Sequence, residues 1–430
     1  MAKNEKRKPS NLTWIRLDNA AKIYPAIRRL NFAAMFRVSV LLNEPVDMEL
    51  LDKALQDILP RFPHFKMTMK TGVFWYYLDT IDKMPHVTPD AASPCKRIHK
   101  KEDNNFLFRV RCFNRRIALE VFHVLTDGTG ALIFLKTLTA RYITLKYGVS
   151  ITPGNGVLDI NEQASETEME DAYSKYARFE ATDTRREDKA YQVKGTKEPD
   201  GHLNITTGII SADRILQEAK KYKASLTEFV AGIFIKAMLD YQKAERHYKN
   251  YPVKLCIPVN LRKFYPSDSL RNFAHYVNIG IDPRYGDFSL EEIIEQLHHQ
   301  MRLKLGEKFI NAAIGQNVSD ERKMLIRPVP LFIKNIVMDT VYQFVGESRT
   351  SSTISNLGNT DVPQEMKPYI DRFDFIIGGT RLNAHKCTII SYNNVMTINF
   401  SRMIKEPFIE RAFFRQLIKM GIPVTIESNQ

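Results

Sequence analysis

Residues 106–148 read as two strands and a helix packed end to end. "FLFRVRCFNRRIALEVFHV" (106–124) carries two runs of aromatic and β-branched residues around a polar Asn114-Arg115 turn, the pattern of a hairpin. A helix is expected from about Thr129 to Tyr147, stopped by Gly148. A chain that runs from hairpin into helix belongs among the mixed α/β (α+β) folds. The junction holds His123, Asp127, Gly128 and Gly130.

The first half continues the mixture. "FRVSVLL" (36–42) reads as a buried strand, and "MELLDKALQDIL" (48–59) as an amphipathic helix ending before Pro60. "FKMTMKTGVFWYYL" (65–78) reads as a second hairpin, turning at Thr71-Gly72. Its Phe74, Trp75 and Tyr76 could line a channel, though core packing is the plainer expectation.

Residues 183–204 are charged, poor in apolar side chains and contain glycine and proline, so a linker or crossover is expected there. It separates a lobe over 1–182 from one over 205–430. In the second lobe, Ser225 with Glu228 and Ser289 with Glu292 are capping-box patterns. The first opens an apolar helix. The second opens a long helix towards residue 310, and another helix is expected over about 330–345. "VKLCIPVNL" (253–261) is a buried-strand candidate. Strands are expected at 352–357, 373–378, 386–393 and 395–401, then a helix over 407–421 capped by Gly421.

With 430 residues, 44% hydrophobic and 26% charged, the chain has room for two ordinary cores. No apolar run approaches the roughly 20 residues a membrane-spanning helix needs, so no transmembrane segment is expected. The basic start, "MAKNEKRKPSNLTW", lacks the apolar core of a signal peptide and is expected to fray. Cys95, Cys112, Cys256 and Cys387 are far apart, which argues against a disulfide framework or zinc site and for a reducing, cytoplasmic setting. The net charge of +13 would welcome a polyanion. No nucleic-acid-binding motif accompanies it, so nucleic acid is not the expected partner. A phosphorylated cofactor, an acidic carrier protein or plain solubility fits the charge equally.

The junction is where the chemistry points. An imidazole titrates nearest neutrality and is the commonest general base. At the end of a buried strand it can face a channel. A carboxylate just beyond, if buried, needs a cation or several donors. Glycines there remove side chains where the backbone turns or a ligand comes close. His, three residues, then Asp-Gly arises by chance in roughly one chain in forty of this length. The strand-to-helix setting is therefore what gives it weight over a core histidine and a helix-capping Asp.

"HVLTDG" resembles the HxxxDG motif of the chloramphenicol acetyltransferase superfamily, which includes nonribosomal peptide condensation domains, BAHD acyltransferases and alcohol acetyltransferases. "WIRLDNAAKIYP" (14–25), "IPVNLRKFYPSDSLRNFAHYVNIGI" (257–281), "TISNLG" (353–358) and "TINFSRMIKEPFIERAFFRQL" (397–417) are similar to further segments of that group in order and spacing. The nearest subgroup resembles bacterial alcohol-acetyltransferase-like proteins. The resemblance implies two acyltransferase-like lobes forming a pseudo-dimer around a central channel. It implies that His123 takes the proton of a hydroxyl or amine acceptor, which attacks an acyl-CoA thioester. Asp127 would be the structural aspartate, with Arg262 of "PVNLR" its candidate partner. Gly128 would leave room for the pantetheine arm. Ser355 and Asn356 are oxyanion candidates, although both could merely shape a turn.

No metal or resident cofactor is implied, because acyl-CoA is a co-substrate. Phe122 stands where many members have a first histidine, and the BAHD Asp-Phe-Gly-Trp-Gly segment is missing. Two other readings share the motif: a phosphopantetheinyl acyl carrier protein as donor, or a condensation-like module that binds without catalysis. The other histidines carry no motif; His275 is expected to pack and His298-His299 to be solvated. Acceptor, acyl length and oligomeric state are not readable from these residues.

Overall fold

The computed structural model describes residues 13–26, 34–98, 103–177, 187–246, 249–322, 329–341, 347–380 and 382–430. The start of the chain, His99, His247, residues 183–186 of the expected linker and the end of the helix expected to reach 345 lie outside the described residues.

The hairpin and helix that opened the sequence reading form the centre of the first lobe. Strands Phe108–Phe113 and Arg116–Phe122 pair antiparallel, with Asn114 at φ 50° in the turn. They belong to a five-stranded sheet ordered Ile370–Ile377, Met35–Leu42, Arg116–Phe122, Phe108–Phe113, Thr88–Pro89. All eight residues of Met35–Leu42 are buried. That strand has neighbours on both edges and carries an inward Arg37, whose guanidinium meets Asp90 and Glu120. Helix Gly128–Tyr147 is apolar almost all round, as a helix covered on every side must be. It packs on the sheet and against helix Met48–Ile58, which Asp47 caps through the amides of Glu49 and Leu50.

The second lobe is a seven-stranded sheet ordered Ala274–Ile281, Val253–Asn260, Ser352–Asn359, His385–Tyr392, Val395–Arg402, Asn204–Ser211, Thr425–Ser428. Both capping boxes form, at Ser225 and Ser289. The helix expected to run from Ser289 towards 310 stops at Lys304 and a new one starts at Glu307, with Gly306 between them. A three-stranded sheet of Trp14–Arg16, Tyr76–Thr80 and Met67–Thr71 completes the set.

Strand Ile370–Ile377 lies late in the chain but pairs antiparallel with Met35–Leu42, Phe375 opposite Val38. It closes an edge that would otherwise present unpaired amides and carbonyls. Its own carbonyls at Phe373 and Ile377 accept the hydroxyls of Thr397 (2.9 Å) and Ser401 (2.6 Å) from the seven-stranded sheet. One strand thus fixes the two large sheets against each other.

Candidate active site

The strand Arg116–Phe122 ends where the motif begins. The His123 amide donates to Ala34 O at 3.0 Å, which prolongs the pairing by one residue and fixes the imidazole at the sheet edge. Asp127 is the N-cap of the helix that follows. Its Oδ1 accepts the amides of Thr129 and Gly130, each at 3.1 Å, two of the donors every helix start leaves unpaired.

The other carboxylate oxygen reaches across the lobes. Asp127 Oδ2 accepts from Arg262 Nη1 at 2.7 Å and from the Phe273 amide at 2.9 Å. Arg262 in turn donates to the carbonyls of Ser269 and Arg271, at 2.7 and 2.6 Å from Nη2. One ion pair therefore pins the helix start and folds the 260–273 segment around itself. Thr126 Oγ1 adds a bond to Leu270 O at 2.5 Å, and Asn260 Nδ2 one to Thr129 Oγ1 at 3.1 Å.

The glycines are explained by what touches them. A Cβ on Gly130 would lie 2.1 Å from Thr126 Oγ1 and 2.3 Å from Leu270 O, so any side chain would push the 260–273 segment away. A Cβ on Gly128 would lie 2.7 Å from Leu357 Cδ2. The missing side chain lets Leu357 of the "SNLG" strand come close to the helix start. Within that strand Asn356 is engaged: its amide donates to Thr227 Oγ1 at 3.1 Å and its oxygen accepts the Gly358 amide at 2.7 Å. Ser355 is buried in the same strand, opposite Thr388.

His123 does not touch Asp127. Its Nδ1 lies 2.9 Å from Asn272 Oδ1, and Asn272 Nδ2 donates to Asp18 Oδ2 at 3.1 Å. Asp18 also takes the Ala21 amide at 2.7 Å and lies 3.6 Å from Arg271. Burial pushes the Asp18 carboxyl up to about 6 against the pull of Arg271, and its Oδ2 accepts the Asn272 amide. An acceptor there fixes the Asn272 amide with its nitrogen towards Asp18 and its oxygen towards His123. The imidazole must then carry its proton on Nδ1, leaving the Nε2 lone pair free. Tyr24 stacks on the ring at 4.6 Å between centroids, and Phe36 meets it edge-on at 5.0 Å. Burial pulls the His123 pKa below its ordinary value, only partly opposed by Asp127.

Asp18, Tyr24 and Asn272 were not singled out in the sequence. Each lies inside a segment that carried the resemblance, "WIRLDNAAKIYP" or "LRNFAHY", but no spacing rule joins them to residue 123. His275 is buried and stacks on Tyr276. His298, expected in solvent, is half-buried with Nδ1 3.2 Å from Glu228 Oε1, because the capping carboxylate of the neighbouring helix reaches it.

No family model and no curated protein matches the sequence. Solved structures do match the fold. Polyketide synthase associated protein 5 from Mycobacterium tuberculosis superposes with a TM-score of 0.62 at 14% identity, over 94% of this chain and 97% of that one. The trichothecene 15-O-acetyltransferase from Fusarium sporotrichioides gives 0.59 at 12%, over 96% and 98%. A mutant of the starter condensation domain of rhizomide synthetase RzmA, in complex with C8-CoA, gives 0.57 at 11%, over 95% and 94%. The chain has the chloramphenicol acetyltransferase and condensation-domain fold. Within this condensation-domain fold the HxxxDG residues fall at the seam of the two lobes, His123 and Asp127 on one side, Asn272 and Arg262 on the other.

Proposed function

We propose that the protein transfers an acyl group from a thioester to a hydroxyl or amine acceptor, with His123 as general base. The observation that supports this reading is the Asp18–Asn272–His123 chain, which sets an amide oxygen against Nδ1 and so directs the neutral ring's proton there, away from Nε2. Nε2 accepts the acceptor's proton as its oxygen or nitrogen attacks the thioester carbonyl. The tetrahedral intermediate collapses, the carbon–sulfur bond breaks, and the imidazolium returns the proton to the leaving thiolate. Asp127 and Arg262 act as a brace. With the Asn356 side chain already engaged, Ser355 is the better candidate to donate to the oxyanion.

We take acyl-CoA as the donor. The net charge of +13 favours an anionic nucleotide thioester, and a structure of similar fold is a complex with C8-CoA. The test is thiol release from acetyl-CoA and longer acyl-CoAs against a panel of alcohols and amines, with His123→Ala alongside. Turnover is expected, falling about 10²–10⁴-fold in the variant, the usual worth of a positioned base. Equal rates in wild type and variant would remove His123 from the reaction. Turnover only with an acylated carrier protein would replace CoA as donor, and thioester binding without turnover would leave a binding module.

A further inference from the structure

The described side chains of helix Leu331–Val341, those of residues 331–338, are presented in the reverse of the usual order. Its lysine, Lys334, is 3% exposed, while Phe332, Ile333, Ile336 and Val337 are 67, 41, 67 and 54% exposed. A surface helix of a soluble protein does the opposite. The inward side is well fixed. Lys334 Nζ sits 4.0 Å from the centre of the Trp75 ring and donates to Phe74 O at 3.1 Å, and the Leu331 amide donates to Val73 O at 3.0 Å. Asn335 Nδ2 donates to Tyr76 OH at 2.8 Å. The outward apolar side is therefore the one the hairpin contacts leave over.

The hairpin extends the same surface. Val73 and Phe74 are 72 and 45% exposed, and Trp14 beside them 51%. Phe74, Trp75 and Tyr76 all line a cavity of about 790 Å³, and Tyr76 also packs against the first-lobe core. Both tryptophans of the chain, Trp14 and Trp75, line that cavity, together with Arg16 and Lys22. Exposed aliphatic and aromatic side chains next to tryptophan and flanked by cations are what a membrane interface takes. Among the described residues no helix is long and apolar enough to cross a bilayer, and the 11 described residues of this one are enough to lie in its surface.

We propose that this face docks on an anionic membrane, with Phe332, Ile333, Ile336 and Val337 entering the acyl boundary and Arg16 and Lys22 meeting lipid phosphates. A second copy of the chain fits less well, since a symmetric contact would set the same cations against each other on a protein already carrying +13. The helix also packs on Ile23–Ala26, the segment that stacks Tyr24 on His123. Docking would thus bring a lipid surface to the wall of the candidate active site. The docking itself rests on the helix and hairpin and stands whether or not His123 is catalytic.

The test is sedimentation of the full chain with phosphatidylcholine vesicles, alone or mixed with phosphatidylglycerol, at physiological salt. Tryptophan emission is read in parallel, because Trp14 is 51% exposed beside the hairpin and Trp75 lies under Lys334 of the helix. Binding to the mixed vesicles with a blue shift, and much weaker binding to phosphatidylcholine, is expected. The double substitution Phe332→Ser with Val337→Ser should weaken it at least about tenfold, since two large side chains lose their burial. Both positions are exposed, so an unchanged melting temperature checks the fold. Tyr285→Ser, at a residue 84% exposed and outside the patch, should bind as wild type. No binding to mixed vesicles, or binding indifferent to the double substitution, overturns the proposal. So does a dimer, or capture of a purified acyl carrier protein, that the double substitution abolishes while vesicles are ignored.

Discussion

Asn272 Oδ1 lies 2.9 Å from His123 Nδ1, although 149 residues separate them in the chain. The bond matters because the amide's orientation is itself fixed. Asp18 holds the nitrogen end, so the oxygen end must face the imidazole and its proton must be on Nδ1. Asn272→Ala is expected to lower kcat about 10–100-fold with little change in KM, which raises the barrier by roughly 1.4–2.7 kcal/mol. Steady-state kinetics with the donor and acceptor found by the panel checks it. An unchanged kcat would show that the tautomer does not depend on Asn272.

The pH profile follows from the same ring. Burial lowers the His123 pKa below its ordinary value. The neutral form is the base, so kcat/KM should rise with pH, with its midpoint below about 6.5, and then stay level through pH 7. A midpoint above that value would mean that the ring is stabilised as the cation and that the burial argument fails.

Asp127→Ala should damage stability as well as rate. It removes the helix cap and leaves Arg262, 13% exposed in its side chain, without its carboxylate. Breaking such a buried pair costs about 3–5 kcal/mol. Urea denaturation checks this. A midpoint and a turnover both equal to wild type would show that the ion pair is not a brace.

A second buried carboxylate gives an independent check on the first lobe. Glu120 accepts from Arg37 Nε at 2.9 Å, from Arg109 Nε at 2.6 Å and from the Cys95 amide at 2.8 Å. Burial pushes its carboxyl up, but Arg37 and Arg109 outweigh it and hold the pKa at about 2, against 4.5 in the unfolded chain. The folded value is depressed, so its contribution is present above pH 4.5 and lost as pH falls through about 2. That contribution is about 3 kcal/mol. Glu120→Gln should therefore be strongly destabilised at pH 7, and the gap to wild type should narrow as denaturation is repeated from pH 4.5 downward. A gap independent of pH would show that the charge on Glu120 is not what the two arginines need.

Local structure was legible because its causes are local. The turn at Asn114, the capping boxes at Ser225 and Ser289 and the stop at Gly148 each rest on residues within a few positions of one another. The strand-to-helix junction likewise announced His123 and Asp127, and the order of the similar segments pointed to the fold that the solved structures share. Other features depended on burial, which periodicity does not report. The chain leaves its long helix at Gly306 and starts another. The helix Leu331–Val341 turns its lysine inward because an aromatic ring and a carbonyl of the hairpin are there to receive it.

The sequence by itself determined which residue types could do acid–base chemistry, and that they stand at the end of a strand. Only the tertiary structure decided how the imidazole is held. Asp18 and Asn272 meet although 254 residues separate them in the chain, and Ile370–Ile377 pairs in one large sheet while bonding to the other, which keeps the lobes in register. A hydrogen bond is made or lost over a few tenths of an ångström, so a residue acquires its role from the packing that places it, and composition along the chain does not encode that distance.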